Sequence, residues 1–208
     1  MKTELCNLMT SNGSDRGGSW HNYTEIYSVL FGHLRDKQLN IFELGIGTSN
    51  LDIPCNMGAN GIPGASLKAW AKYFPFANLY GADIDESSLF QDDERIKTFY
   101  CDQQSDEKIK AMWKNKALNK VQFDIIIDDG LHEHSANMTF LRNSIHKLKD
   151  DGLYVIEDIT NYAKSLYVQS LDQMSEALSF AYYIVSMPSD KNQYDNNIAI
   201  IRRIKANS

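Results

Sequence analysis

Ile41-Phe42-Glu43-Leu44-Gly45-Ile46-Gly47 is the stretch on which the fold turns. An apolar run that ends in a Gly-x-Gly turn reads as a strand opening into a loop. Working outward, the same reading gives strands at Leu79 to Asp83, Ile96 to Tyr100, Phe123 to Asp128 and Leu153 to Glu157. Helical patterns lie between them, at Ala65 to Phe74, Asp106 to Leu118 and Ser135 to Leu148, the last with Met138, Leu141, Ile145 and Leu148 at helical spacing. Apolar strands alternating with helices predict a parallel sheet covered on both faces. The rhythm breaks near the end, where Ala181 to Ser186 and Ile198 to Arg203 are joined by a polar segment, Pro188 to Asn197, with no room for a helix. The expected architecture is α/β: a Rossmann-like, doubly wound, mostly parallel seven-stranded sheet with a C-terminal antiparallel hairpin.

Composition bounds what such a sheet does. The 208 residues suit one domain, 1–208, and 43% hydrophobic with 23% charged residues is ordinary globular usage. Lys and Arg number 21 against 27 Asp and Glu, a net charge of −6 that disfavours a nucleic-acid partner. Cys6, Cys55 and Cys101 are odd in number and widely spaced, which argues against a disulfide framework or a zinc signature and for a cytoplasmic protein. No run approaches the ~18 apolar residues of a membrane span, and residues 1–20 hold no signal-like apolar stretch.

In open α/β sheets the ligand sits beyond the carboxyl ends of the strands. Each of the five parallel strands here delivers acid to that edge: Glu43, then Asp83 and Asp85, Asp102, Asp128 and Asp129, and finally Glu157 and Asp158. Gly45 and Gly47 allow a ligand to approach the backbone, Asp83 suits paired ribose hydroxyls, and Asp102-Gln103 suits an adenine edge. Asn50 stands where a dinucleotide fingerprint needs its third glycine, so S-adenosylmethionine fits better than NAD. Asp129, Glu157 and Asp158 form a carboxylate trio suited to a hard cation such as Mg²⁺. His132, three residues beyond Asp129, is the candidate general base, with His134 its competitor; His21, His33 and His146 are expected on the surface or on helices.

These residues resemble class I S-adenosylmethionine-dependent methyltransferases, and among them the metal-dependent macrocin or mycinamicin sugar O-methyltransferase family. The matching segments are Gly13-Ser14-Asp15-Arg16-Gly17 with His21-Asn22-Tyr23 and Tyr27, Phe42 to Gly47, Ser66 to Trp70, Tyr73-Phe74-Pro75 and Tyr80 to Asp85. Asp102-Gln103, Asp128 to His132 and Tyr154 to Asp158 complete a set covering about residues 11 to 162. The resemblance implies a divalent metal held by Asp129, Glu157 and Asp158, with His132 as base. It implies donor contacts from Tyr23, Glu43, Gly45, Gly47, Ser66, Asp83, Asp85, Asp102, Gln103 and Asp128, with residues 1–35 as a helical cap over the cofactor. Leu131 replaces the family's serine before the histidine, which puts the anchoring of the His132 loop in question.

The expected function is therefore metal-assisted methyl transfer to a sugar hydroxyl, of a surface polysaccharide, sugar nucleotide or glycoside. A catechol-type or other small-molecule O-methyltransferase and a non-catalytic adenosine-binding module are the alternatives. A homo-oligomer is compatible with either. Thr160 to Ser170, with Tyr162 and Tyr167, is expected to be a substrate-facing lid, and the Pro188 to Asn197 turn to fall on the ligand side. The Thr48 to Gly64 insertion has no role legible in its residues and reads as a loop.

Overall fold

The computed structural model describes every residue except Met1, Ser19, Asp93, Pro188 and 205–208, so the Pro188 end of the expected hairpin turn lies outside the described residues. Among these residues eight strands are present: β1 (Asn40–Leu44), β2 (Asn78–Asp83), β3 (Gln91–Asp92), β4 (Ile96–Tyr100), β5 (Phe123–Asp128), β6 (Leu148–Ile156), β7 (Phe180–Ser186) and β8 (Asn197–Arg203). They form one sheet in the order β3-β4-β2-β1-β5-β6-β8-β7. The five central strands run parallel, and β8 lies antiparallel between β6 and β7. The eighth strand corrects the expected seven. β3 is two exposed polar residues paired antiparallel to β4, and it has no apolar alternation to announce it. Thr98 of β4 secures its start, donating to and accepting from the Phe90 backbone.

Among the described residues six α-helices flank the sheet: α1 (Glu4–Asn12), α2 (Tyr23–Phe31), α3 (Ala65–Tyr73), α4 (Asp106–Trp113), α5 (His134–Ser144) and α6 (Lys164–Leu178). Strand alternation sends neighbouring residues to opposite faces. Ile41, Ile125, Ile127 and Val155 meet Leu5, Tyr27, Phe31 and Trp70 from α1 to α3. Phe42, Ile126 and Tyr154 meet Trp113, Phe140 and Tyr167 from α4 to α6. Full burial of each phenylalanine in these layers contributes about 1.5–3 kcal/mol. α4 stops at Trp113 rather than at Leu118, because the Asn115 side chain accepts from the Ala117 N–H at 2.9 Å and turns the chain. The segment expected as a lid is instead largely α6, a 15-residue helix that buries only Tyr167 and Leu171.

The strand order reverses between β1 and β5, so the connections that leave them turn to opposite faces of the sheet and open a crevice. The functional residues gather there.

Candidate functional site

Gly45 (φ 81°) and Gly47 (φ 87°) carry the chain out of β1 in the left-handed region. A Cβ on Gly45 would lie 1.9 Å from the Asp129 carbonyl oxygen, so the β1 and β5 exits meet closely only because this residue is glycine. The Gly47 N–H donates to Asp83 Oδ2 at 3.1 Å, and Asp85 N–H donates to Asp83 Oδ1 at 3.0 Å. Burial lifts the Asp83 carboxyl above its ordinary range, although these backbone donors oppose the rise. The cleft has a volume of about 660 Å³, and Asp83, Asp102, Gln103 and Ser66 line it along with both glycines.

Several expected donor-binding residues sit behind this surface. Asp85 accepts from Thr48 Oγ1, from Ser88 and from Ser87, which draws its pKa down to about 2 and pins the start of the insertion. Glu43 is wholly buried and receives Arg16, Ser66 and, at 2.9 Å, the Trp70 indole. Asp128 is wholly buried against Gln103 Nε2 (2.7 Å) and the Tyr154 hydroxyl (3.1 Å), and burial raises its pKa to about 7. Gln103 Oε1 in turn accepts from the Leu131 N–H at 2.8 Å, while the Cys55 thiol donates to the Leu131 carbonyl at 3.1 Å. The His132 loop is thus anchored through the Leu131 backbone, which needs no serine side chain.

His132 (φ 59°) and Asp158 (φ 56°) both occupy the left-handed region, and such strain concentrates at functional positions. His132 Nε2 lies 3.3 Å from Asp129 Oδ1 and 3.2 Å from Asp158 Oδ2. Burial alone would lower the His132 pKa, but the two carboxylates outweigh it and hold the ring protonated well above its ordinary range. Asp129, His132 and Asp158 each offer one ligand atom, all within 4.8 Å of one another. The two carboxylates are oxygen donors of the kind Mg²⁺ or a related divalent cation takes, and the imidazole stands beside them. Glu157 is turned elsewhere: its oxygens accept from Arg16 Nε at 2.7 Å and from the Tyr27 hydroxyl. The Tyr23 hydroxyl donates to Asp158 Oδ1 at 2.6 Å from behind. His134 bonds Ser170 Oγ at 2.9 Å and leans edge-on against Tyr167, outside the trio.

Two residues acquire parts that the sequence reading did not give them. Arg16 is buried at 2% exposure and spreads its guanidinium over Glu157, Glu43 (3.0 Å) and Asp129 (2.5 Å), the ends of three strands. Gly17 beside it packs against α1 so closely that a Cβ would lie 2.5 Å from the Cys6 carbonyl oxygen. His21, expected on the surface or on a helix, is instead buried just ahead of α2 with its Nε2 3.5 Å from Asp158 Oδ1, and its ring stacks on Tyr23 at 4.7 Å. The glycines around Arg16 were the available signal for a tight packing site. His33 and His146 are exposed, as expected. The insertion also gains a place, since Ile53, Pro54, Cys55 and Met57 line the cleft.

No protein-family model matches the chain. It is 33% identical over 157 residues (75% of this chain) to the 8-demethyl-8-(2-methoxy-alpha-L-rhamnosyl)-tetracenomycin-C 3'-O-methyltransferase of Streptomyces olivaceus. It is 30% identical over 158 residues (76% of this chain) to the mycinamicin VI 2''-O-methyltransferase of Micromonospora griseorubida. The chain spans 37% and 36% of those two proteins, little more than a third of their length. Among solved structures, the MycE methyltransferase from the mycinamycin biosynthetic pathway, in complex with Mg, SAH and mycinamycin VI, superposes with a TM-score of 0.71 at 24% identity. That match covers 98% of this chain and 55% of the other. The chain is similar in sequence to these O-methyltransferases and has the α/β methyltransferase fold.

Proposed function

We propose that the protein is an S-adenosylmethionine-dependent O-methyltransferase, assisted by a divalent cation such as Mg²⁺, that acts on a sugar hydroxyl. The observation that carries this reading is the meeting of Asp129, His132 and Asp158 within 4.8 Å beside the Gly45–Gly47 turn and Asp83, which share their cleft. The names of the relatives, O-methyltransferases of rhamnosyl-tetracenomycin and mycinamicin, support the reaction, and the Mg and SAH bound by MycE support the cofactors.

In this reading Asp83 receives the donor's ribose hydroxyls and Asp102 its adenine edge, while the glycine turn lets the donor lie against backbone. Asp129 and Asp158 would hold the cation, and Glu157, now bound to Arg16, would join them only by giving up that partner. When bound, the cation lowers the pKa of the acceptor hydroxyl and the donor supplies an electrophilic methyl. With the two aspartates committed to a cation, the His132 ring would give its own proton to solvent, and Nε2, aimed between them, would be free to take the hydroxyl proton. Tyr23 and Arg16 keep Asp158 and Asp129 in place, and the cleft walls bring the reacting atoms to about 3–3.5 Å. We assign the protein to the cytoplasm, where its free cysteines stay reduced, and take nucleic acid to lie outside its partners.

Titration with S-adenosylhomocysteine and with NAD, each with and without Mg²⁺, tests the donor assignment. S-adenosylhomocysteine should bind and NAD should not. Preference for NAD would overturn the reading.

A further inference from the structure

Three large aromatic side chains stand half or more exposed on or close to segments that reach the cleft: Tyr162 (70%), Tyr194 (55%) and Trp20 (50%). Trp20 lines the cleft itself, as does Asp195, the residue after Tyr194. The Asp195 carbonyl accepts from the same Tyr23 hydroxyl that donates to Asp158, so this turn is bolted to the acid trio. Tyr162 follows Asp158 by four residues and meets Tyr194 directly, with ring centroids 5.6 Å apart, planes at 66° and hydroxyls in contact.

The backbone beneath the two rings is firmly held. Ile159 N–H donates to the Asn197 carbonyl at 3.0 Å and Asn161 N–H to the Tyr194 carbonyl at 2.9 Å. The Asn161 and Asn197 amides cross the same seam, at 2.5 Å to the Gln193 carbonyl and 2.6 Å to the Ile159 carbonyl. Exposed rings on a rigid seam add little to the core, yet they offer large, pre-positioned apolar faces at low entropic cost. Polar groups, Asp195 among them, lie beside those faces. A ligand that matches has an apolar face and a polar edge, as a pyranose ring does. The two rings meet edge-to-face at 66°, and their high exposure leaves ring surface free for a ligand.

We infer that Tyr162 and Tyr194, with Trp20 on the cleft wall, form the platform on which the sugar ring of the acceptor rests, holding one hydroxyl edge toward Asp129, His132 and Asp158. This rests on the acceptor class proposed above and names the residues that select it. Tyr167, the other tyrosine of that segment, is buried against Asn137 and takes no part.

The test is ligand-detected saturation-transfer NMR on the full chain with S-adenosylhomocysteine and Mg²⁺, using a methyl 6-deoxyhexopyranoside and catechol as probes. The wild type should transfer saturation to the pyranoside C–H protons. The Tyr162→Ala/Tyr194→Ala double variant should weaken pyranoside binding about tenfold and leave S-adenosylhomocysteine affinity intact. Tyr183→Ala, an exposed tyrosine on β7, is the control and should change nothing. Both platform rings are exposed, so the double variant should melt as the wild type does. Equal pyranoside binding by wild type and double variant would overturn the platform. So would absence of pyranoside binding by the wild type, or catechol binding that alone depends on the pair. Pyranoside binding that depends on the pair, but without methyl transfer when S-adenosylmethionine replaces the product, would uphold the platform and sink the proposed reaction instead.

Discussion

Arg16 is the residue on which both halves of the cleft depend. Its guanidinium is the cation that Glu43, Asp129 and Glu157 share, and burial leaves no water to replace it. Removing one partner of a buried ion pair leaves charge without compensation, a loss of about 3–5 kcal/mol. Arg16→Met should therefore lower unfolding stability by that amount in urea titrations, and adding Glu157→Gln should restore part of it. Wild-type stability for Arg16→Met alone would refute this account of the cluster. His132 carries a different expectation. His132→Ala should fold and bind S-adenosylhomocysteine normally while slowing methyl transfer about 10²–10⁴-fold, as loss of a general base does. At this scale Asp129, His132 and Asp158 were each legible as site residues, because Asp129 and His132 lie three residues apart and Asp158 follows the next strand of the sheet, but Glu157, expected among the ligands, is held by Arg16 and Tyr27 instead. Arg16 and His21 were not legible, since their meaning comes from distant partners. Arg16 reaches Glu157 across 141 positions and His21 reaches Asn196 across 175.

Among the elements, the five parallel strands were readable from apolar runs, because strands buried on both faces need no polar alternation. β3 and α6 escaped for the opposite reason: one exposes both its residues, and the other buries two of fifteen. The insertion after β1 also carried no periodic signal. Its order comes from single contacts, with Asp85 gripping Thr48, the Met57 N–H on the Thr48 carbonyl and the Gly64 N–H on the Ile46 carbonyl. The Asp85 grip predicts a pH dependence. Its folded pKa, about 2, lies below the ordinary carboxyl value, so the ionised form stabilises the fold. That contribution is complete above the unfolded value of about 3.9 and disappears as pH falls toward the folded one. Acid titrations of stability should show a loss between about pH 4 and pH 2 that is flatter in Asp85→Asn. An unchanged slope in the variant would assign the acid limb to other carboxylates.

Across the whole molecule, the formal charge of −6 looks at first like a solvated surface. Four of the acids are instead drawn together at the switch point: Glu43, Asp129, Glu157 and Asp158, with Arg16 as the shared counter-ion of three. In the proposed reaction a divalent cation and a sulfonium donor would bring positive charge to this cluster. Among the described residues no helix is long and apolar enough to cross a membrane. The central claim is metal-assisted methylation of a sugar hydroxyl, and mass spectrometry of a glycoside panel incubated with the protein and S-adenosylmethionine tests it most directly. The account predicts a singly methylated glycoside in Mg²⁺, none in EDTA, and recovery when Mg²⁺ is added back. Full methylation in EDTA, or methylation of catechol with no glycoside turned over, would contradict it.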